Sequence, residues 1–134
     1  MTRFTLLALT ALSLASCGGG SNSNDYQTAL DQADADRAEA LSLAPASPCN
    51  AVQQCGALTL VQPQGHCAAT GYTPYSLVSP TAEAASAAAA DERVQAARAI
   101  SLAPPPATAC TTVIVAPPTL GCVANACQAI APAN

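Results

Sequence analysis

SPTAEAASAAAADERVQAARAISLAPPP, residues 79–106, separates two groups of three cysteines, and reading it as a helix decides the fold. Alanine is the best helix former, and this stretch is largely alanine. Ser79 can cap the start, Pro80 suits the first helical position, and Glu83 favours the positive end of the helix dipole. Pro104-Pro105-Pro106 ends it. Ala87, Ala90, Val94 and Ala97 recur at helical spacing and are expected to form a narrow stripe for close packing. The charges at Asp91, Glu92 and Arg93 interrupt the apolar run, so it falls short of the roughly 20 apolar residues that span a bilayer.

Cys49, Cys55 and Cys67 precede this helix, and Cys110, Cys122 and Cys127 follow it. In an exported chain such an even set reads as a disulfide framework, although sequence cannot choose among the pairings. Parity still constrains them. If all six pair, an odd number of bridges joins the group before the helix to the group after it. The two groups therefore belong to one covalently closed unit. Closing a loop of about a dozen residues, such as 55–67 or 110–122, would contribute roughly 3 kcal/mol on the chain-entropy model.

Upstream, Asp25 to Leu43 contains no Gly or Pro, and Tyr26, Leu30, Ala33, Ala40 and Leu41 recur at helical spacing. Asn24 is placed to cap this helix, with Asp25 in its first turn. Both helices end alike, in ALSLAP (40–45) and AISLAP (99–104). Each leads to a pair of cysteines with eleven residues between them, in CGALTLVQPQGHC (55–67) and CTTVIVAPPTLGC (110–122). Within these lie β-prone runs, Leu58 to Val61 and Thr112 to Val115, each followed by a proline turn. This pattern raises an internal duplication or chance similarity in an Ala-rich chain. The expected fold class is a small, disulfide-stabilised α+β domain, with helices at about 25–43 and 80–102 and short β-hairpin-like cysteine segments.

Composition explains why the staples are needed. After residue 16 the chain has eight Leu, seven Val, three Ile and no Phe. That lies below the roughly one-fifth content at which chains look disordered. Tyr26, Tyr72 and Tyr75 are its only aromatics. A core this thin needs another source of stability.

The stretch LSLASCGGGSNSND, residues 12–25, carries the address. Arg3 is a positive n-region, Phe4 to Leu14 an apolar h-region, and small residues follow, as in an export signal. Leu14-Ala15-Ser16-Cys17 resembles the lipobox of bacterial lipoproteins. That resemblance implies a diacylglycerol on the Cys17 thiol, cleavage before Cys17 and acylation of the new amino group. The Gly, Ser and Asn residues from Gly18 to Asn24 have the composition of a flexible tether. The expected organisation is a signal peptide at 1–16, lipidated cysteine and tether at 17–24, one disulfide-bonded domain at 25–130 and a tail at 131–134. Gly18 after the lipidated cysteine resembles the sorting pattern that sends enteric lipoproteins to the outer membrane, facing the periplasm.

The order Cys49-x5-Cys55, Cys67, Tyr72-x2-Tyr75-Ser76, a helix, then Cys110-x11-Cys122-x4-Cys127 is similar to small uncharacterised exported proteins and lipoproteins of proteobacteria with six cysteines. Those commonly show CGGP after the third cysteine, where this chain has Cys67-Ala68-Ala69-Thr70. The resemblance implies a single disulfide-bonded domain and no activity.

Charge distribution bounds the chemistry. The eight carboxylates are Asp25, Asp31, Asp34, Asp36, Glu39, Glu83, Asp91 and Glu92, all on the two helices or their starts. Residues 40–82 and 99–134 carry no acidic or basic side chain except His66. A catalytic set of acid, base and nucleophile is not assembled there, so no catalytic residue and no enzyme activity are expected. The carboxylates read as solvated helix faces. His66 neighbours Cys67, but no CxxC or paired ligand spacing accompanies them, so no metal and no cofactor are expected. After residue 16, three arginines face eight carboxylates, and the chain has no lysine. Nucleic acid, which needs a basic footprint, is excluded as a partner. Membrane attachment falls to the lipid on Cys17, with an envelope protein as the candidate partner. The expected function is a non-catalytic binding or structural module of the cell envelope. The alternative is an inhibitor of an extracytoplasmic enzyme, presenting a rigid loop such as Pro117 to Gly121 or Gln62 to His66.

Overall fold

A computed structural model describes residues 22–105, 109–111 and 115–130 of the chain. The leader, Cys17, most of the β-prone run Thr112 to Val115 and the tail lie outside these residues. The order of elements is helix α1 (Asn22–Leu43), strands β1 (Cys55–Gln64) and β2 (Cys67–Ser76), helix α2 (Ala82–Leu102), and strands β3 (Thr119–Val123) and β4 (Ala126–Ile130). The expected small α+β class stands.

Helix α1 begins three residues before the expected start. Asn24 is therefore inside the first turn and not a cap, and its carbonyl accepts a hydrogen bond from the Thr28 hydroxyl at 2.8 Å. Helix α2 begins at Ala82, two residues later than expected. Ser79 and Pro80 form a turn ahead of it, in which the Ser79 carbonyl accepts from Ala82 N–H at 3.1 Å and its hydroxyl from Thr81 N–H at 3.3 Å.

The helices pack against each other as an antiparallel pair. Ala40 clusters with Ala85, Ala88 and Ala89, Arg37 meets Glu92, and Tyr26 shares a cleft with Leu102. Ala29, Ala33, Ala40 and Ala44 form one wall of the seam, and Ala85, Ala88, Ala89, Ala96 and Ala99 form the other. Methyl side chains let the two backbones approach closely, so contact replaces bulk as the source of cohesion. The stripe expected at 87, 90, 94 and 97 is out of phase: Ala87 and Ala97 are exposed, Ala90 is only half-buried, and Val94 is 64% exposed. The seam selects a series of alanines interrupted by Glu92, and that series leaves Val94 on the solvent side.

β1 and β2 form a ten-pair antiparallel hairpin from Cys55↔Ser76 to Gln64↔Cys67. Gly65, at φ 64°, takes the first place of its two-residue turn, a conformation that suits glycine. Leu58, Leu60 and Tyr75 project from one face into the alanine cluster and are the large side chains of the core. β3 and β4 pair as a second, shorter hairpin, turned by Ala124 and Asn125, both at positive φ as a type I′ turn requires. Among the described residues this hairpin carries the strands of the second half, and most of the expected run Thr112 to Val115 lies outside them. Val115 itself is outside any strand.

The connector 44–50 stitches the hairpins together through its main chain. The Pro45 carbonyl accepts from Ser76 N–H at 2.9 Å, and the Ala46 carbonyl from Cys127 N–H at 2.8 Å. Cys49 N–H donates to the Asn125 carbonyl at 3.2 Å, and the Ser76 hydroxyl to the Pro48 carbonyl. Three disulfides then close the fold: Cys49–Cys122, Cys55–Cys127 and Cys67–Cys110. All three cross α2, satisfying the parity rule. Neither of the short loops 55–67 and 110–122 is closed by its own pair. The two halves share the order helix then hairpin, but their cysteines are not equivalent. Cys55 and Cys67 open β1 and β2, whereas Cys110 precedes the second hairpin and Cys122 lies inside β3.

Overpacking tests the seam. Ala89→Leu is expected to lower stability by about 3 kcal/mol, and Val94→Ala to change it by less than about 0.5 kcal/mol, both read from urea unfolding under non-reducing conditions.

Candidate functional site

One carboxylate departs from the solvated faces. Glu92 sits in phase with the alanines of α2 and is fully buried. Its two oxygens accept from Val61 N–H at 3.0 and 3.1 Å, and Oε1 also accepts from Arg37 Nη2 at 3.3 Å. The next residue, Arg93, donates from Nη1 to the Thr59 carbonyl at 3.1 Å. Main-chain groups alternate in direction along an antiparallel ladder, so Thr59 and Val61 present theirs away from β2. Pro63 falls in the same set, where its missing N–H removes no ladder bond. Helix α2 thus covers the free edge of β1 with a carboxylate and a guanidinium, closing an edge that would otherwise invite another strand.

The ion pair between Glu92 and Arg37 holds one wall of a groove of about 370 Å³ between α1 and the hairpin. Arg37 and Leu41 line it from α1, Leu60 and Gln62 from β1, and residues 69–73 from β2. It exists because the inward face of β2 is small where that of β1 is large: Ala69 and Gly71 stand opposite Gln62 and Leu60. A Cβ added at Gly71 would meet nothing within 4 Å.

Arg37 is the groove's one charged residue, with 23% of its side chain exposed. A guanidinium offers five donors in a planar fork. Here Nη2 is used by Glu92, while Nε is buried with no hydrogen-bond partner. Gln62, Thr70 and Thr73 add neutral donors and acceptors, and the Tyr72 hydroxyl is committed to the Val115 carbonyl at 3.2 Å. Glu92, with both oxygens engaged, offers no free base. The exposed part of the guanidinium and these neutral groups can bind and orient a hydrogen-bond acceptor, a carboxylate among them.

The sequence-predicted residues are distributed otherwise. His66 lies at the tip of the first hairpin, where Nδ1–H donates to the Ile100 carbonyl at 2.9 Å and so satisfies an orphan carbonyl in the last turn of α2. Cys67 beside it is bridged to Cys110. The sulfurs of Cys49, Cys55 and Cys127 lie within 4.8 Å of one another, but as two adjacent disulfides they present no thiolate. Of the remaining carboxylates, Asp36 is half-buried and accepts from Gln32 Nε2 at 2.8 Å, while the others are exposed on the helices. Gln62 to His66 spans the end of β1 and its turn. Pro117 to Gly121 runs into β3, with Gly121 buried beneath Ile130. Cys17 lies outside the described residues.

Sequence reasoning missed Arg37 and Glu92. The signal was present in their phase: each continues a series of buried alanines, Ala29-Ala33-Arg37-Ala40 and Ala85-Glu92-Ala96-Ala99. No protein-family model, curated protein or solved structure matches this chain.

Removing one partner of a buried pair strands the other. Arg37→Met is expected to lower stability by about 3 kcal/mol or more by leaving the Glu92 carboxylate without its cation. Arg37→Met combined with Glu92→Gln, which keeps an acceptor for Val61 N–H, is expected to recover about half of that loss in a double-mutant unfolding cycle.

Proposed function

We propose that this chain is a lipid-anchored cell-envelope protein whose disulfide-locked domain acts as a non-catalytic binding module, with the Arg37 groove as its recognition surface. The anchor is the lipid on Cys17, and the location is the envelope, at the outer membrane facing the periplasm. The observation that carries the binding role is a groove whose one charged lining residue among the described residues, Arg37, keeps 23% of its side chain exposed beside neutral Gln62, Thr70 and Thr73. Three bridges hold the frame of that groove without a large apolar core, which suits an oxidising compartment. A preorganised groove loses little entropy on binding. Its partner is an envelope component that presents a carboxylate.

A second reading draws on the tip of the first hairpin. Gln62 to His66 is held by the Cys67–Cys110 bridge and the His66–Ile100 hydrogen bond, as a rigid inhibitory loop would be. In that case the purified domain slows an extracytoplasmic protease, and shortening the tip abolishes the effect.

Two measurements test the main reading. The intact mass of membrane-extracted protein is expected to match cleavage before Cys17 plus acyl chains, with no thiol open to alkylation under denaturing, non-reducing conditions. An unacylated mass, or free thiols among the six cysteines, contradicts it. Gly71→Leu fills the groove floor where space is open, so it is expected to leave unfolding unchanged and to remove the cross-linked envelope partner captured by the parent protein. Retention of the same partner by the folded variant excludes the groove.

A further inference from the structure

We infer that the end of the helix pair formed by Tyr26, Leu102, Pro104 and Pro105 rests on the bilayer that holds the lipid of Cys17. The inference builds on the lipid anchor proposed above and adds the face that meets the membrane.

A flexible tether through residue 24 would let the domain stand away from the bilayer, but α1 is already helical at Asn22. Five residue steps separate Cys17 from Asn22, and an extended chain spans at most about 3.6 Å per step, so the leash is shorter than about 18 Å. The first turn of α1 is therefore held close to the headgroups.

Because the helices are antiparallel, the residues beside that first turn are the last ones of α2. Ser23 and Tyr26 of α1 face Leu102, Ala103, Pro104 and Pro105 across a cleft of about 310 Å³. Tyr26 and Leu102 are half-buried, and both prolines are exposed. A tyrosine with an apolar ring and a polar tip, next to leucine and proline, suits the headgroup boundary. The charges around this end are Asp25, exposed one residue from Tyr26 on a different side of α1, and Arg98, exposed one turn before Leu102. The apolar cleft is therefore the part of this end that a bilayer accepts. Arg37 lies eleven residues further along α1, about 16 Å away, so docking by this end directs the groove toward the periplasm.

The chain contains no tryptophan, which makes single-tryptophan reporters clean. The lipidated protein is reconstituted into vesicles of phosphatidylethanolamine and phosphatidylglycerol containing a lipid brominated in mid-chain. Tyr26→Trp and Pro105→Trp, one on each wall of the cleft, are compared with Gln27→Trp. Position 27 has the same leash but a different side of α1. Bromolipid quenching at least twofold greater at positions 26 and 105 than at 27, with blue-shifted emission, is the expected result. Equal quenching at all three would mean free tumbling on the leash and would overturn the inference. Blue-shifted emission without quenching would mean that the protein's own acyl chain or a second copy fills the cleft, and would overturn it too. The acylated mass of the same sample separates this failure from failure of the anchor itself.

Discussion

Every bridge in this protein joins residues before α2 to residues after it, and the rest of the structure depends on that crossing. The sequence separations are 73, 72 and 43 residues. Closing the first such loop contributes about 4 kcal/mol on the chain-entropy model, and each later one contributes less because the loops overlap. The second hairpin is tied to the rest of the chain by two of the bridges, through Cys122 and Cys127. Its four outward valine, isoleucine and alanine positions, Val123, Ala124, Ala129 and Ile130, are exposed, and among the described residues its main-chain links to the connector are the bonds at Cys49 and Cys127. The thin apolar composition and the cysteine set are thus two sides of one solution. The bridges restrict the unfolded chain where a larger core would have stabilised the folded one.

Inside this frame the helix pair uses alanine as its packing unit, and one charged pair interrupts the alanine seam. A buried carboxylate is costly unless its oxygens are satisfied. Glu92 meets that demand by joining three elements: its own helix, Arg37 of α1 and Val61 of β1. This junction orients the hairpin relative to the helices and sets the wall of the groove. Its value lies in fixing one arrangement more than in raw stability, since an apolar replacement of similar volume often serves stability equally well. The small residues of β2 leave the space, and the ion pair supplies a cation whose donors are only partly consumed. In the proposed function, structure and recognition share a single side chain, Arg37.

Much of this was legible in the sequence, and the omissions have physical causes. Local signals located both helices within three residues at their starts and placed both of their ends, because alanine propensity and proline breaks act over short range. Parity required a covalent crossing, but pairing depends on distances in space, so Cys49–Cys122 and its companions were beyond it. The stripe on α2 was assigned to the wrong phase because Val94 is the most apolar residue of its stretch, while the seam demands the smallest side chains. Glu92 and Arg37 were hidden for the opposite reason: a charge on an Ala-rich helix ordinarily faces water, and only the partner helix shows that these two face each other. The connector 44–50 escaped because its bonds use main-chain carbonyls, including those of two prolines, and these leave no mark in side-chain pattern.

In the proposed function, the anchor and the groove would divide the molecule lengthwise, with the lipid near the first turn of α1 and Arg37 more than halfway along that helix. The crossing bridges close the domain against which α1 packs. Proteolysis of the unreduced protein followed by mass mapping of the linked peptides tests that crossing most directly. The expected linked pairs are Cys49–Cys122, Cys55–Cys127 and Cys67–Cys110. A bridge confined to one half, such as Cys55–Cys67 or Cys110–Cys122, would contradict it.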